Sequence, residues 1–300
     1  MTRTDTITLG DVQITRVFEQ RHLGLPRQFV FPDVDEQLWR RNEDWLAPEF
    51  WDTGADEMVA ALQTWVLRSE GATILVDTGA GNDKERPGMP VFDHLDTAYL
   101  DNLAAAGVRP EDVDLVVTTH VHGDHVGWNT RRVDGTWVPT FPNARHLMPR
   151  VDVDYWNPAN GHDTRSGPRM AGVFADSVAP VLDAGMVDQW ADGHVVDANL
   201  RLEPAPGHTP GSAVLWLRSG SDRAAFVGDL LHTPLQVLEP HVCPCLDEDE
   251  KRAEASRRRV LDTVADDGAL LLPAHFPAAG ALELRRNGDG YAITEWAAFG

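Results

Sequence analysis

Short β-branched runs, each stopped by Gly, Pro or Asp, recur along the chain, and apolar stretches with helical spacing fall between them. The runs predict strands at Ile7–Leu9, Val12–Phe18, Leu62–Leu67, Thr73–Val76, Val113–Thr119, Leu200–Glu203, Ala213–Leu217, Ala224–Val227 and Ala269–Leu272. Helices are predicted over Tyr99–Ala106, closed by Gly107, and over Asp247–Asp266. The second opens on the acids DEDE and carries Arg257–Arg259 further along, which complements the helix dipole. Near the end, Asn287-Gly288 within RRNGDGYAITEW predicts a hairpin at a sheet edge. Strand and helix signals alternate without a repeat or a linker, so we expect an α/β (α+β) chain folded as one domain over residues 1–300. Residues 19–61 are rich in Trp, Phe and Pro but lack steady periodicity. Segments of that length are usually functional or partnered. They read as an N-terminal arm or cap, either packed over its own domain or clasping a second copy, and the burial of Trp39, Trp45, Phe50 and Trp51 decides between the two.

Composition narrows the function. The 300 residues are 42% hydrophobic, enough for one large core or two modest ones. The 47 acidic against 26 basic residues give a net charge of −21, a field that repels phosphodiester backbones and anionic membranes. Neither nucleic acid nor membrane is therefore expected as a partner, and a small-molecule substrate is. Cys243 and Cys245 stand too close together in CPC to staple distant segments. The start, MTRTDTITLGDV, lacks the apolar stretch of a signal peptide, and no run approaches the ~18 apolar residues of a membrane span. A cytoplasmic location is the expectation.

The densest chemistry lies in TTHVHGDHVGWNT, residues 118–130, where His120, His122, Asp124 and His125 follow the apolar run Val113–Val117. A strand ending at His120 puts that imidazole at the sheet's C-terminal edge, and a tight loop turns the other three toward the same point. Zinc and similar cations take imidazole nitrogens and carboxylate oxygens at about 2.0–2.2 Å, and a mononuclear catalytic site uses three protein ligands. Four in one loop argue for two metals. Further ligands are then sought at strand ends, and His208 in PAPGHTPGS, Asp229 in FVGDLLH and His275 in LLPAHF each follow an apolar run, at the edge where α/β ligand sites lie. The set totals seven. His232, one helical turn after Asp229, is expected to point elsewhere, and His146 is assigned to packing.

Through HVHGDHVG, APGHTPGS, FVGD and PAHF, supported by ILVDTG at residues 74–79, residues 60–275 resemble the metallo-β-lactamase-fold hydrolases. The resemblance implies an αββα sandwich of two mixed β-sheets flanked by helices. It implies His120, His122 and His208 on one metal, Asp124, His125 and His275 on the other, and Asp229 bridging. Asp77 would orient a ligand imidazole or the metal loop from behind. The cofactor implied is two divalent ions, zinc by preference. A hydroxide bridging them would attack a lactone, ester or phosphotriester while a metal stabilises the developing charge. Asp124 and Asp229 would be the catalytic carboxylates, Asp229 also serving as proton acceptor and donor.

His122 stands where the diiron oxidases of this fold carry Glu, which favours hydrolysis over redox chemistry. True β-lactamases lack a bridging carboxylate like Asp229. Glyoxalase II adds a C-terminal helical domain where this chain has a hairpin, and RNA-processing members need a basic exosite. The lactonase branch, including quorum-quenching acyl-homoserine lactonases, remains; an organophosphate or aryl-ester hydrolase is the alternative, followed by an iron oxidoreductase or a non-catalytic metal sensor. Some longer members of that branch dimerise through such an N-terminal arm, which gives homodimerisation through residues 19–61 as an expectation.

Candidate pocket residues are Trp128, Tyr155, Trp156 and Phe276, with Met148, Met170 and Phe174 in the region between the two halves. Trp128 replaces a common glycine and is either a substrate wall or a ring packed under the loop; core packing is the alternative for the others. Ligation by Cys243 or Cys245 is a further option, although seven ligands are complete without them.

Overall fold

The computed structural model describes residues 5–299. Met1–Thr4, the start of the segment read as lacking a signal peptide, lie outside the described residues. In the first sheet, β1 (Asp5–Leu9), β2 (Val12–Pro26), β3 (Trp51–Asp52), β4 (Glu57–Ser69) and β5 (Ala72–Val76) make antiparallel pairs. β6 (Leu115–Val117) joins β5 in parallel. After a small separate hairpin, β7 (Thr130–Val133) and β8 (Thr136–Pro139), the parallel strands β9 (Arg145–Pro149) and β10 (Val187–Trp190) finish the order β1-β2-β4-β5-β6-β9-β10, with β3 on β4.

The second sheet runs in chain order through β11 (His194–Val195), β12 (Leu200–Pro204), β13 (Ala213–Ser219), β14 (Asp222–Gly228), β15 (Leu270–Pro273), β16 (Leu282–Asn287) and β17 (Gly290–Trp296). Only β14 and β15 pair in parallel. The Asn287-Gly288 hairpin forms as expected, and β17 is the edge strand.

The period of two along each strand sorts side chains between layers. Trp65, Leu67, Ile74 and Val76 meet Leu215, Leu217 and Phe226 of the second sheet in a central core. Their neighbours Val66 and Leu75 face the other way, onto Tyr99 and Leu103 of the helix Tyr99–Ala105. On the far side, Val214, Trp216, Ala225 and Val227 pack with Val260, Leu261 and Val264 of the helix Glu250–Asp267. The result is the αββα sandwich.

Three departures from the sequence pattern matter for the site. The strand expected over Val113–Thr119 shortens to Leu115–Val117, because the Thr119 amide donates to the Asp77 carboxylate (2.8 Å) instead of a neighbouring strand. The helix expected from Asp247 begins at Glu250: Asp249 caps it by accepting from the Arg252 amide (3.0 Å), while Asp247 is fully buried elsewhere. Residues 19–61 are more regular than their sequence shows. β2 extends to Pro26 across irregularities near Phe18, Gln20 and Leu23, and three short helices follow, Arg27–Val30, Glu36–Arg41 and Glu43–Leu46. Trp39, Phe50 and Trp51 are buried in the same cluster as Val260 and Leu261, with Trp45 partly buried against it. Phe50 stacks on Trp296 (5.0 Å between centroids) and meets Phe276 edge-on (5.8 Å). These rings are covered by the chain's own residues.

Candidate metal centre

Strand ends deliver the polar groups. Asp77 follows β5 with φ +58°, which turns its carboxylate under the loop after β6. That carboxylate accepts from the Thr119 amide and hydroxyl (both 2.8 Å) and faces His125 Nδ1 at 2.9 Å. The His125 ring is thereby held with Nε2 pointing into the site. Backbone bonds tie the loop to residues 78–79: Thr78 donates to the His125 carbonyl, Gly127 to the Gly79 carbonyl and Trp128 to the Thr78 carbonyl, each at 2.8 Å. Gly127 allows the approach, since a Cβ there would stand 1.9 Å from the Ala80 oxygen. Buried Glu19 braces the same turn by accepting from the Ala80 and Gly81 amides (2.7 and 3.1 Å) and from Trp128 Nε1 (2.8 Å). On the opposite side, buried Asp152 accepts from the Val121 amide, the Thr209 hydroxyl and the Gly211 amide (2.9, 2.7 and 2.6 Å). One carboxylate so clamps the loop of His120 and His122 to the loop of His208.

The seven predicted side chains gather into two clusters. Donor atoms of His120, His122, His208 and Asp229 lie within 4.8 Å of one another, and so do those of Asp124, His125 and His275. Asp229 stands between them. Its Oδ1 is 3.2 Å from His125 Nε2 and 3.0 Å from His275 Nε2, whereas its Oδ2 is 3.3 Å from His208 Nε2 and 3.8 Å from His120 Nε2. Outer partners orient the rings: His208 Nδ1 faces Asp247 Oδ1 (2.9 Å), His275 Nδ1 donates to the Ala61 carbonyl (2.9 Å), and His120 Nδ1 meets the Thr119 hydroxyl (3.1 Å).

Inward nitrogens consequently face one another, His125 Nε2 to His275 Nε2 at 3.2 Å and His208 Nε2 to His122 Nδ1 at 2.9 Å. With their outer nitrogens donating to Asp77 and to the Ala61 carbonyl, the neutral His125 and His275 rings turn two lone pairs toward each other, and the Asp229 carboxylate between the clusters favours a positive charge there. A divalent cation resolves such an arrangement, and the imidazole and carboxylate donors are the types it takes. Burial, with neighbouring imidazoles adding to it, pushes His120 and His122 well below the usual histidine range and keeps them in the neutral form that binds metal. The donor set supports divalent metal binding.

The centre floors a cleft walled by Leu23, Leu25, Met58, Met89, Phe92 and Met170. Several pocket candidates lie elsewhere. Trp128 is buried under the loop, stacked on Tyr99 (5.2 Å) and bonded to Glu19, so it is not a substrate wall. Phe276 is fully buried against Phe50. Tyr155 donates to Glu248 (2.6 Å) and lines a neighbouring groove with Trp156 and Phe174, although the Trp156 ring lies 5.4 Å from that of His122. Met148 is core, Met170 lines the cleft, and His146 is fully buried within β9. Neither Cys243 nor Cys245 belongs to either cluster.

His232 needs correction. It lines the cleft with Nε2 at 3.2 Å from Asp229 Oδ2, because the chain after Gly228 forms a tight turn rather than a regular helix start. Asp247, Asp152 and Glu19 were not found from the sequence. Asp247 hides in an acidic run that reads as a helix start, and single buried acids carry no local signature.

A four-layer αββα sandwich with two His/Asp clusters at one sheet edge defines a class of metal-site proteins. The chain belongs to the metallo-beta-lactamase superfamily, whose family profile matches residues 62–275. Among its relatives, the N-acyl homoserine lactonase AttM of Rhizobium radiobacter is 30% identical over 136 residues, 43% of this chain and 44% of AttM. The match thus spans less than half of that lactonase. Metallo-beta-lactamase domain-containing protein 1 of Xenopus laevis is 30% identical over 207 residues, 68% of this chain and 66% of that one. Two solved structures share the fold over nearly their full length. The hydrolase AbOPH superposes with a TM-score of 0.81 at 23% identity, covering 98% of this chain and 97% of its own. AidC, a dizinc quorum-quenching lactonase in complex with a product, gives 0.78 at 22%, covering 99% and 98%.

Proposed function

We propose that the protein is a dinuclear metal-dependent hydrolase that opens lactones of the N-acyl homoserine type. The observation that carries the proposal is Asp229, one carboxylate oxygen turned to each histidine cluster, at the floor of an apolar cleft. The lactonase relatives support the choice of substrate. His120, His122 and His208 would hold one divalent ion, Asp124, His125 and His275 the other, and Asp229 would serve both, with zinc fitting the nitrogen and oxygen donors. Bound there, such ions would supply an activated water near neutral pH and charge stabilisation for the electrophile's oxygen.

The chain's own residues do the rest. Leu23, Leu25, Met58 and Phe92 offer an apolar bed for an acyl chain, each buried Å² contributing ~25 cal/mol. A proton released by the attacking water needs a carboxylate acceptor, and Asp124 and Asp229 are the two that face the cleft.

The test is elemental analysis of protein purified without added metal, paired with turnover of a long-chain acyl-homoserine lactone, an aryl ester and a methyl phosphotriester. Two divalent ions per chain and a preferred lactone are expected. Preference for the aryl ester or phosphotriester overturns the lactone assignment, and two ions without any turnover overturns the hydrolase. Asp229→Asn and His122→Ala should each lower kcat by ~10²-fold or more with an unchanged circular dichroism spectrum.

A further inference from the structure

Two guanidinium groups line the cleft above its His/Asp floor, among apolar walls, and the hydrolytic chemistry above uses neither. Arg86 is buried, and its two terminal nitrogens donate to the Asp176 carboxylate at 2.6 and 2.8 Å. Its Nε is buried without a partner, close to Gly123 of the metal loop, where a glycine Cβ would stand 3.4 Å away. Arg169 donates from Nη2 to the Ser166 hydroxyl (3.3 Å) and the Cys245 carbonyl (3.2 Å), and its Nε is likewise buried without a partner. Among the described residues, no carboxylate lies within ion-pair distance of Arg169. Glu248, which fastens the same loop, is occupied by the Arg165 and Ser166 amides and the Tyr155 hydroxyl.

Buried N–H donors without acceptors are costly, and a cation beside apolar walls without a counter-ion is more so. Both residues line one cleft, and half-buried Arg169 is the one whose charge an anion entering that cleft would meet. The two residues differ in what they ask for. Asp176, which Lys84 also approaches, pairs with both terminal nitrogens of Arg86, so the Arg86 Nε supplies mainly direction. Arg169 is uncompensated and favours an anion. In a chain of net charge −21 the general field repels anionic ligands, so a local guanidinium is what would admit one.

We propose that Arg169, assisted by the Nε–H of Arg86 and the Ser166 hydroxyl, is a specificity-determining group that binds a second carboxylate of the substrate, remote from the bond that is cleaved. The preferred substrates are then lactones or esters whose acyl portion ends in a carboxylate, with the apolar walls holding the methylenes between. This rests on the hydrolase reading for the cleaved bond, but the anion subsite stands on its own geometry.

The experiment is calorimetric titration of the metal-loaded full chain with straight-chain dicarboxylates of four, six and eight carbons, each against the monocarboxylate of equal length. Both members of a pair offer one carboxylate to the metals; only the diacid offers a second. The best diacid should bind about tenfold tighter than its partner. Arg169→Met should abolish that difference, and Arg169→Lys, which keeps the charge, should retain part of it. Equal or weaker binding of every diacid, or a difference that survives in Arg169→Met, overturns the subsite. Because the titration needs no turnover, it can fail while lactone hydrolysis succeeds, and the reverse.

Discussion

At the residue scale, the ligand types and their place at strand ends were legible, because imidazoles and carboxylates in HVHGDH, PGHTP, VGD and PAHF each follow a short apolar run. The groups that aim them were less so. Asp77 was found through its place in ILVDTG, whereas Asp247, Asp152 and Glu19 act through contacts distant in sequence that no local pattern records. Asp77 also shows how much rests on a residue outside both clusters. Its Oδ2 faces His125 Nδ1 and accepts from the Thr119 hydroxyl, which in turn meets His120 Nδ1, so one carboxylate orients an imidazole in each cluster. Asn tolerates the positive φ at this position but replaces one oxygen acceptor by an amide donor. Asp77→Asn should weaken metal binding by about 10–100-fold, measured by competition with a chromogenic chelator, at unchanged secondary structure. Metal affinity equal to that of the wild type would show that the loop holds His125 without it.

At the element scale, the central strands could be read because they are runs of buried, mostly apolar residues, whereas β7, β8, β10 and β11 bury few side chains and leave no such run. Residues 19–61 could not be read either. The irregular pairing near Phe18, Gln20 and Leu23 breaks the alternation, and the three short helices are below the length at which a 3.6 period shows. Burial of their aromatic rings gives this segment a measurable role. Trp39 is fully buried, 5.7 Å from both Phe31 and Trp51. If the segment is part of the same cooperative fold, Trp39→Ala should cost about 3–5 kcal/mol in urea unfolding while leaving one transition. A loss below ~1 kcal/mol, or a separate early transition, would make residues 19–61 a detachable arm instead.

At the scale of the whole molecule, acidic excess was visible in composition, but the few buried cations were not, since a lysine's environment depends on elements far apart in sequence. Lys84 is fully buried, with Nζ 2.6 Å from the Thr130 hydroxyl, 3.1 Å from the Asp176 carbonyl, 3.6 Å from Asp176 Oδ1 and 3.7 Å from the centre of the Trp137 ring. Arg86 shares the same carboxylate. Burial outweighs the attraction of Asp176, Arg86 adds repulsion, and the ammonium is brought down to about 7. Unfolded, it returns to about 10.4. Below both values each state carries the proton, and the folded state bears the full cost of burying it. Between them the unfolded chain holds a proton that the folded one has released, so stability rises with pH across that window, by at most ~1.4 kcal/mol per unit from this one group. Urea unfolding of the wild type and Lys84→Met at equal metal loading, from pH 6.5 to 9.5, isolates the effect, because the variant has nothing to titrate at this position. The stability of the wild type relative to the variant should be flat below about pH 7 and climb above it. A difference independent of pH would mean that Lys84 keeps its proton in the folded protein and that Asp176 balances it fully.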